Sequence, residues 1–594
     1  MLFKIINLFS YREKIIILFL LFFISFGALL EIASIAFIVP FTSLLLNKTD
    51  FLSNEYIKYF LPNLSSLELI NLIYIFGIIL CIIFLFKNIY LLIINFLAHK
   101  FIYSKYQKLG SSLFFKYLKS NYEFHLKNNS SILQRNINTE VFLLITNILI
   151  PSIMLISEGI VVLSIVSVLL FLEPYYTICL ILLFSILFYI VSRIIRGKVI
   201  SLGSSSQYHF GEMIKNVNQS LGSIKMTKIM NKEDFFLNEF KNNLFVFSRN
   251  SSINKNITQW PRYFTEILVI ALLVFSALFF LRDDSSLITK LPILSFFALA
   301  AFRLMPSFNR ILSSYSNIIY YSASLNVVYS ELYILNEKNL NNIAYNELHL
   351  NEKFKFEKKI KFDNISFNYL ESSDKSINDF SLVIKKGERI ALIGKSGSGK
   401  TTIIDILTGL LKPSAGKLSV DGFDINLKLK QWQSKIGYVP QNIFLLDDSI
   451  KKNIAYGINP NDILDGQLDY AIDKSQLREY IDKLNLKENT VIGENGVKMS
   501  GGERQRIGIA RALYNKPEII IFDEGTSSLD NDTQQKIIQS IYDLDKSVTI
   551  IIIAHRLDIL QNCDNIYLIK DGKIKFNYSK QYIMDNKENL DKLL

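Results

Sequence analysis

The sequence predicts a multidomain chain: an all-α unit of six membrane-spanning helices followed by an α/β domain built around a phosphate-binding loop. Three observations carry this. Apolar runs long enough to cross a bilayer fill the first half of the chain. Short β-type runs separated by glycine-containing turns fill the last 240 or so residues, counted from Phe354. Between Gly394 and Thr401 the segment GKSGSGKT follows an apolar strand and opens a helix.

At 594 residues the chain is too long for one core, and its two parts differ in composition. Half of all residues are hydrophobic, 45 are Phe and 30 are Tyr, and mean hydropathy is positive, an excess that needs lipid to hold it. The formal charge of +12 is spread along the chain and gathers between apolar runs, which is the pattern of membrane topology rather than of nucleic-acid binding. Cys81, Cys179 and Cys563 stand far apart with no CxxC spacing, so they predict packed thiols and neither a disulfide framework nor a zinc site.

The predicted spans run from Ile15 to about Leu46, Ile70 to Leu97, Leu143 to Leu172, Tyr175 to Ile195, Phe264 to Leu281 and Leu287 to Ile311. The first is too long to be the core of a cleaved signal peptide. Lys100, Lys105, Lys108, Lys116, Lys119, Lys127 and Arg135 lie between spans two and three, and a longer basic segment separates spans four and five. The positive-inside rule puts both in the cytoplasm, with both chain ends. Glu173 and Pro174 make a tight external hairpin between spans three and four. The cytoplasmic segments have helical periodicity and are too long for loops, so the membrane helices are expected to continue as stalks. These features give a transmembrane domain over 1–335, a polar Asn/Glu/Lys linker over 336–353 and a nucleotide-binding domain over 354–594.

In GKSGSGKT the glycines Gly394, Gly397 and Gly399 let backbone N–H groups converge on phosphate oxygens, with Ser396 between them. Lys400 brings a cation to the β and γ phosphates and Thr401 a hydroxyl for magnesium, and Ser396 and Thr402 are expected among the nucleotide-binding residues with them. About a hundred residues later come MSGGERQRIGIARAL, from Met499, and EIIIFDEGTSSLD, a strand ending at Asp523 and Glu524. In that order the motifs resemble those of the ATP-binding cassette ATPases, from about Phe354 to the end of the chain.

The resemblance implies that ATP and Mg2+ are cofactors and assigns roles residue by residue. Tyr369 would stack on adenine. Gln441 in YVPQ would sense magnesium and face the membrane half. Ser500, Gly501 and Gly502 would hold the γ-phosphate of a nucleotide on a second subunit. Asp523 would support magnesium, Glu524 would activate water, Asp530 would cross the dimer, and His555 would act as the γ-phosphate switch. Met499 and Glu503 depart from the usual leucine and glutamine of the signature, and neither change removes a glycine donor. One ATPase domain and one six-span domain per chain imply a second copy, most simply a homodimer. The order of the halves resembles the exporter class, which places coupling elements at Ser131 to Glu140 and near Gln207 to Asn216.

Charges inside the spans point to a substrate route, because an isolated charge in lipid is costly. Arg303 and Arg310 are seven apart on span six, about 10 Å along one helix face. With Arg262 and Lys87 they would form a basic patch suited to phosphate or pyrophosphate oxygens. The competing expectation has them snorkel to the cytoplasmic interface or pair with Glu31, Glu158 or Glu266. Span six, its YYSASL tail and the external LNKTDFLSNEYIKYFLPNL element, with Leu52, Tyr56 and Tyr59 or Phe60 on one helical face, resemble bacterial lipid-linked oligosaccharide flippases of the PglK group. That resemblance implies ATP-driven transfer of a polyprenyl-pyrophosphate-linked glycan across the inner membrane, from the cytoplasmic to the periplasmic leaflet. Export of another lipid, such as a lipid A-like glycolipid, or of a drug fits the same fold.

Overall fold

The computed structural model describes residues 1–46, 68–172, 174–280, 287–333, 354–369, 376–523, 531–553, 560, 562–579 and 582. The external element after span one, and the positions Glu524, Asp530 and His555, lie outside them.

Two compact units form, one of Met1–Ser120 with His125–Lys338, the other of Asn339–Leu594 together with the short segment Asn121–Phe124. The first unit is helical. After α1 (Leu2–Asn7), α2 (Tyr11–Ala36) opens with a capping box, the Ser10 hydroxyl accepting from the Glu13 N–H and the Glu13 carboxylate accepting from the Ser10 N–H. The first predicted span breaks at Phe37 into α2 and α3 (Ile38–Leu46). The cause is readable: Pro40 has no N–H to give to the carbonyl of Ala36, where α2 stops.

The remaining spans are long helices: α4 (Leu69–Lys119), α6 (Ile150–Leu172), α7 (Pro174–Gly222), α8 (Glu233–Phe280) and α9 (Leu287–Tyr320). Among the described residues, Tyr11–Ala36, Leu69–Lys119 and Ser130–Phe171 are long and apolar enough to cross a membrane. At 1.5 Å per residue, the 51 residues of α4 reach roughly 75 Å, more than twice a hydrocarbon core, so the helix runs on as a stalk. Leu18, Phe19 and Phe22 on α2 turn outward, while Ile35, Val161, Ile165, Leu169 and Leu304, with Ala28 and Ala300, make an aliphatic core between α2, α6 and α9.

Span three enters through α5 (Ser130–Arg135) and two π-helical turns, Asn136–Glu140 and Ile145–Leu149, that its sequence does not announce. The segment Ser131 to Glu140 and the Gln207 to Asn216 stretch of α7, expected within the stalks as coupling elements, both belong to this helical unit. The two segments pack on one another. The Asn218 amide donates to the Ser131 hydroxyl at 2.9 Å, and Gly211 gives Arg135 room that a Cβ would take.

The second unit carries two sheets. β1 (Lys359–Phe367), β2 (Ile377–Lys385), β4 (Ala415–Val420) and β5 (Phe423–Asp424) form an antiparallel sheet in the order β2-β1-β4-β5. The other sheet runs β10-β9-β3-β8-β7-β6. In it β3 (Arg389–Ile393), β6 (Ile436–Val439), β7 (Ile519–Asp523), β8 (Thr549–Ile553) and β9 (Asn565–Lys570) are parallel, and β10 (Lys573–Ser579) is an antiparallel edge. Strands β7 and β8 are buried at every residue, as an apolar run covered on both faces must be. Side-chain alternation divides them between two cores. Ala391, Ile393, Ile520, Phe522, Ile550 and Ile552 face one. Ile390, Leu392, Ile519, Ile521, Ile551 and Ile553 face the other, which they share with the antiparallel sheet.

Candidate functional site

The phosphate-binding loop leaves the buried end of β3 and enters α10 (Lys400–Leu407). Three of its glycines have left-handed backbone, Gly394 at φ 146°, Gly397 at 79° and Gly399 at 102°. Gly394 is also tightly hemmed: a Cβ there would meet the Ile569 carbonyl and come within 2.9 Å of the Ser398 hydroxyl. The chain can turn back over the helix N-terminus only because these positions carry no side chain. Lys400 is buried, and its ammonium donates to the carbonyls of Gly394 at 2.6 Å and Lys395 at 3.1 Å, which folds the loop around the amine. Ser396 and Gly397 are exposed at the loop tip, Thr401 is exposed at the first turn, and the Ser398 hydroxyl is buried with no hydrogen-bond partner among the described residues. N–H groups at a helix start, one cation and an orphaned hydroxyl fit a polyphosphate.

Tyr369 comes to the same place from the end of β1. Its hydroxyl shares a hydrogen bond of 3.3 Å with the Thr402 hydroxyl, and its ring stands edge-on to Phe367 with centroids 5.0 Å apart. Asp523 ends β7, nearly buried, and its carboxylate accepts from the Tyr438 hydroxyl at 3.1 Å. Burial, followed by the charge of Asp523, pushes the Asp405 carboxyl up to about 6; burial and Asp523 likewise push the Tyr438 phenol up. Two carboxylates that repel one another suit a divalent cation, which the Thr401 hydroxyl and the Asp523 carboxylate have the chemistry to hold. Gln441 is exposed, two residues past β6. Asp405 and Tyr438 were not singled out from the sequence, although an aspartate inside the apolar run TIIDILTGLL was a signal.

The signature segment opens α11 (Gly501–Leu513). Ser500 is its N-cap and Glu503 completes a capping box: the Ser500 N–H donates to the Glu503 carboxylate at 2.7 Å and the Glu503 N–H donates to the Ser500 hydroxyl at 3.3 Å. Glu503, a departure from the usual glutamine, thus has a structural task. Met499 is buried in the core shared with β7 and β8. Cys563 is also buried there, whereas Cys81 is exposed on α4, contrary to the packing expected of it.

In the helical unit the predicted basic patch is a charge ladder. Arg303 grips Glu31 with two nitrogens, Nε to Oε1 and Nη2 to Oε2 at 2.9 Å, and its Nη1 donates to the Ser307 hydroxyl at 2.8 Å. Glu158 lies 3.7 Å from Arg303 and 2.7 Å from Arg310. Both arginines are therefore neutralised by carboxylates. Lys87 is buried, with its ammonium 4.5 Å from the Phe84 ring centre and within electrostatic reach of Glu31 and Arg303. Arg262 and Glu266 are exposed on α8 and take no part in these ion pairs.

Residues 377–527 match the ABC transporter family. The chain is 38% identical over 228 residues to an ATP-dependent lipid A-core flippase of Alkalilimnicola ehrlichii, a stretch covering 38% of each protein. It is 38% identical over 219 residues to one of Neisseria meningitidis, covering 37% of this chain and 35% of that one. To one of Francisella tularensis it is 31% identical over 400 residues, 66% of this chain and 64% of that one. The chain thus spans between about one third and two thirds of the curated relatives it matches. A solved structure of a bacterial Atm1-family ABC exporter with ATP bound superposes with a TM-score of 0.76, covering 98% of this chain and 97% of that one at 20% identity, a likeness of fold. The chain therefore has the fold of an ABC exporter, a membrane-spanning helical half followed by an ABC transporter ATPase domain.

Proposed function

We propose that two copies of this chain use ATP and Mg2+ to move a lipid with an anionic headgroup from the cytoplasmic to the periplasmic leaflet of a bacterial inner membrane. The ladder of Lys87, Arg303 and Arg310 against Glu31 and Glu158 carries the reading: ionisable groups gathered between spans are costly unless they handle something polar. A polyprenyl-pyrophosphate-linked oligosaccharide is the substrate we favour, because guanidinium forks match pyrophosphate oxygens. The relatives named above favour a second reading, a lipid A-like glycolipid. Arg262, exposed at the start of span five, would meet the headgroup on entry.

In the ATPase domain Lys400 and the loop N–H groups would neutralise the β and γ phosphates, and Thr401, Gln441 and Asp523 would hold Mg2+, which supplies charge stabilisation to phosphoryl transfer. Glu524 would orient water, His555 would touch the γ-phosphate, and Ser500, Gly501, Gly502 and Asp530 would complete the site on the partner copy. The test is ATP-dependent flipping in proteoliposomes of a fluorescent polyprenyl-pyrophosphate glycan beside a fluorescent lipid A analogue, for the parent chain and Glu524→Gln. Flipping of the first lipid, abolished by Glu524→Gln, is expected. Flipping of lipid A alone selects the second reading, and flipping of neither with ATP still hydrolysed refutes both.

A further inference from the structure

The charge ladder is unbalanced, and the imbalance has a definite location. Lys87, Arg303 and Arg310 face two carboxylates, Glu31 and Glu158, so the cluster carries one excess positive charge. Among the described residues no carboxylate pairs with Lys87 and no hydrogen bond reaches it. A 9% exposed ammonium is left with a phenyl ring and the fields of Glu31 and Arg303. A buried cation in that condition is a costly arrangement to retain unless a partner arrives.

The partner that Lys87 lacks is close at hand. α2 and α4 pack closely at Gly27, where a Cβ would stand 2.9 Å from the Leu91 side chain and 3.3 Å from the Tyr90 ring. One turn onward in α2 is Glu31, and one turn back in α4 is Lys87. Glu31 now spends both oxygens on Arg303, in the two-pronged geometry a phosphate would use. An incoming phosphate oxyanion can therefore take that fork only by displacing Glu31, and a displaced buried carboxylate must find another cation.

Resting on the flippase reading, we infer that the ladder works by counter-ion exchange: an anionic phosphate takes Arg303 from Glu31, and Glu31 passes to Lys87. Before exchange the cluster holds the pair Arg303–Glu31 and a lone Lys87; afterwards it holds Arg303–phosphate and Lys87–Glu31. The excess charge is cancelled by one negative charge, so the site takes a group presenting a single net anion to it, a phosphodiester or one phosphate of a pyrophosphate. Lys87 is then a positioning residue that acts through Glu31, and the pair sets selectivity for anionic over neutral headgroups.

A double-mutant cycle on the full-length protein in proteoliposomes tests this, with a fluorescent polyprenyl-pyrophosphate glycan as the flipped probe and KM separated from kcat. Glu31→Gln frees the fork and is expected to lower KM at least fivefold. Lys87→Met is expected to raise KM at least tenfold alone and to have less than a twofold effect in the Glu31→Gln background, where no carboxylate needs a new partner. Should Lys87→Met fail to assemble, Lys87→Gln replaces it in both backgrounds, and Lys87→Arg should behave as the parent. Equal losses from Lys87→Met in both backgrounds overturn the exchange and make Lys87 a direct contact, with the flippase reading intact. No flipping of any anionic lipid by the parent refutes that reading itself, and the exchange falls with it. Inorganic pyrophosphate added as competitor separates the sources: if it inhibits and Glu31→Gln strengthens inhibition, the exchange stands with the free anion as ligand. Without inhibition, the lipid-borne phosphate is the ligand.

Discussion

Asp405 offers the sharpest test of the nucleotide site as described. Its carboxyl is pushed up to about 6 from an ordinary value of 3.8, chiefly by burial and then by Asp523. A carboxyl raised in the folded state binds more protons folded than unfolded, so its contribution weakens stability as pH rises from near 3.8 through 6. The rise from 3.8 to about 6 corresponds to about 3 kcal/mol at neutral pH by the usual conversion, and Asp405 is only half-buried, so we halve this to ~1.5 kcal/mol. Asp405→Asn removes the penalty. The variant should gain on its parent by about 1 kcal/mol between pH 4.5 and 7.5, the part of the window those two pH values span. Trp432 is a reporter beside the substitution: it is fully buried, and its indole donates to the Leu407 carbonyl at 2.7 Å, two residues along the same helix. The chain has two tryptophans, so a Trp260→Phe background leaves Trp432 alone. Urea titrations of the full-length protein in detergent, with EDTA and no nucleotide, should show the midpoint advantage of Asp405→Asn growing by about 0.3–0.5 M from pH 4.5 to 7.5. An advantage that stays constant with pH would refute the assignment of Asp405 as a strained carboxylate.

Ser500→Ala removes the hydroxyl that caps α11 and should loosen its first turn by about 1 kcal/mol, read as roughly fivefold faster amide exchange at Gly502 to Arg504. Gly394→Ala and Gly422→Ala both strain a left-handed backbone, but only Gly394 is hemmed in. Gly422 should therefore cost about 1 kcal/mol of stability with ATP affinity intact, whereas Gly394 should lose at least tenfold in affinity for a fluorescent ATP analogue. Glu158→Gln strips Arg310 of its ion pair; with the Arg310 side chain 36% exposed the cost should be ~1–2 kcal/mol, seen as a lower melting temperature in detergent and recovered by Arg310→Met.

The parts of this protein that were legible in the sequence are those whose determinants are local. GKSGSGKT fixes its loop because three glycines within six residues permit a backbone that other residues resist, and Lys400 reaches carbonyls five and six residues away. The break after Ala36 has an equally local cause in Pro40, but span one was expected to run unbroken from Ile15 to about Leu46 and the break went unread. The charge ladder was legible only as a list of suspects. Arg303 and Glu31 are 272 residues apart, Arg310 and Glu158 are 152, and the spacing of Arg303 and Arg310 on span six gives no sign of which carboxylates α2 and α6 bring to them. The π turns leading into and opening span three were hidden for a different reason: one extra residue per turn changes the helix face without changing composition.

The two cores that share β8 have a consequence for how this half finds its alignment. In TIIII a slip of one residue exchanges the two faces, yet it mostly puts isoleucine where isoleucine was, so apolar patterning does little to penalise the error. The one residue that is not interchangeable is Thr549. Its hydroxyl accepts from the Gly387 N–H at 2.9 Å and its N–H donates to the Glu518 carbonyl at 3.0 Å, tying the strand to both neighbouring entrances. One polar side chain at the end of the strand thus does the proofreading that four isoleucines cannot. A threonine-to-isoleucine change there would leave the strand as apolar as before and without a marker for where it begins.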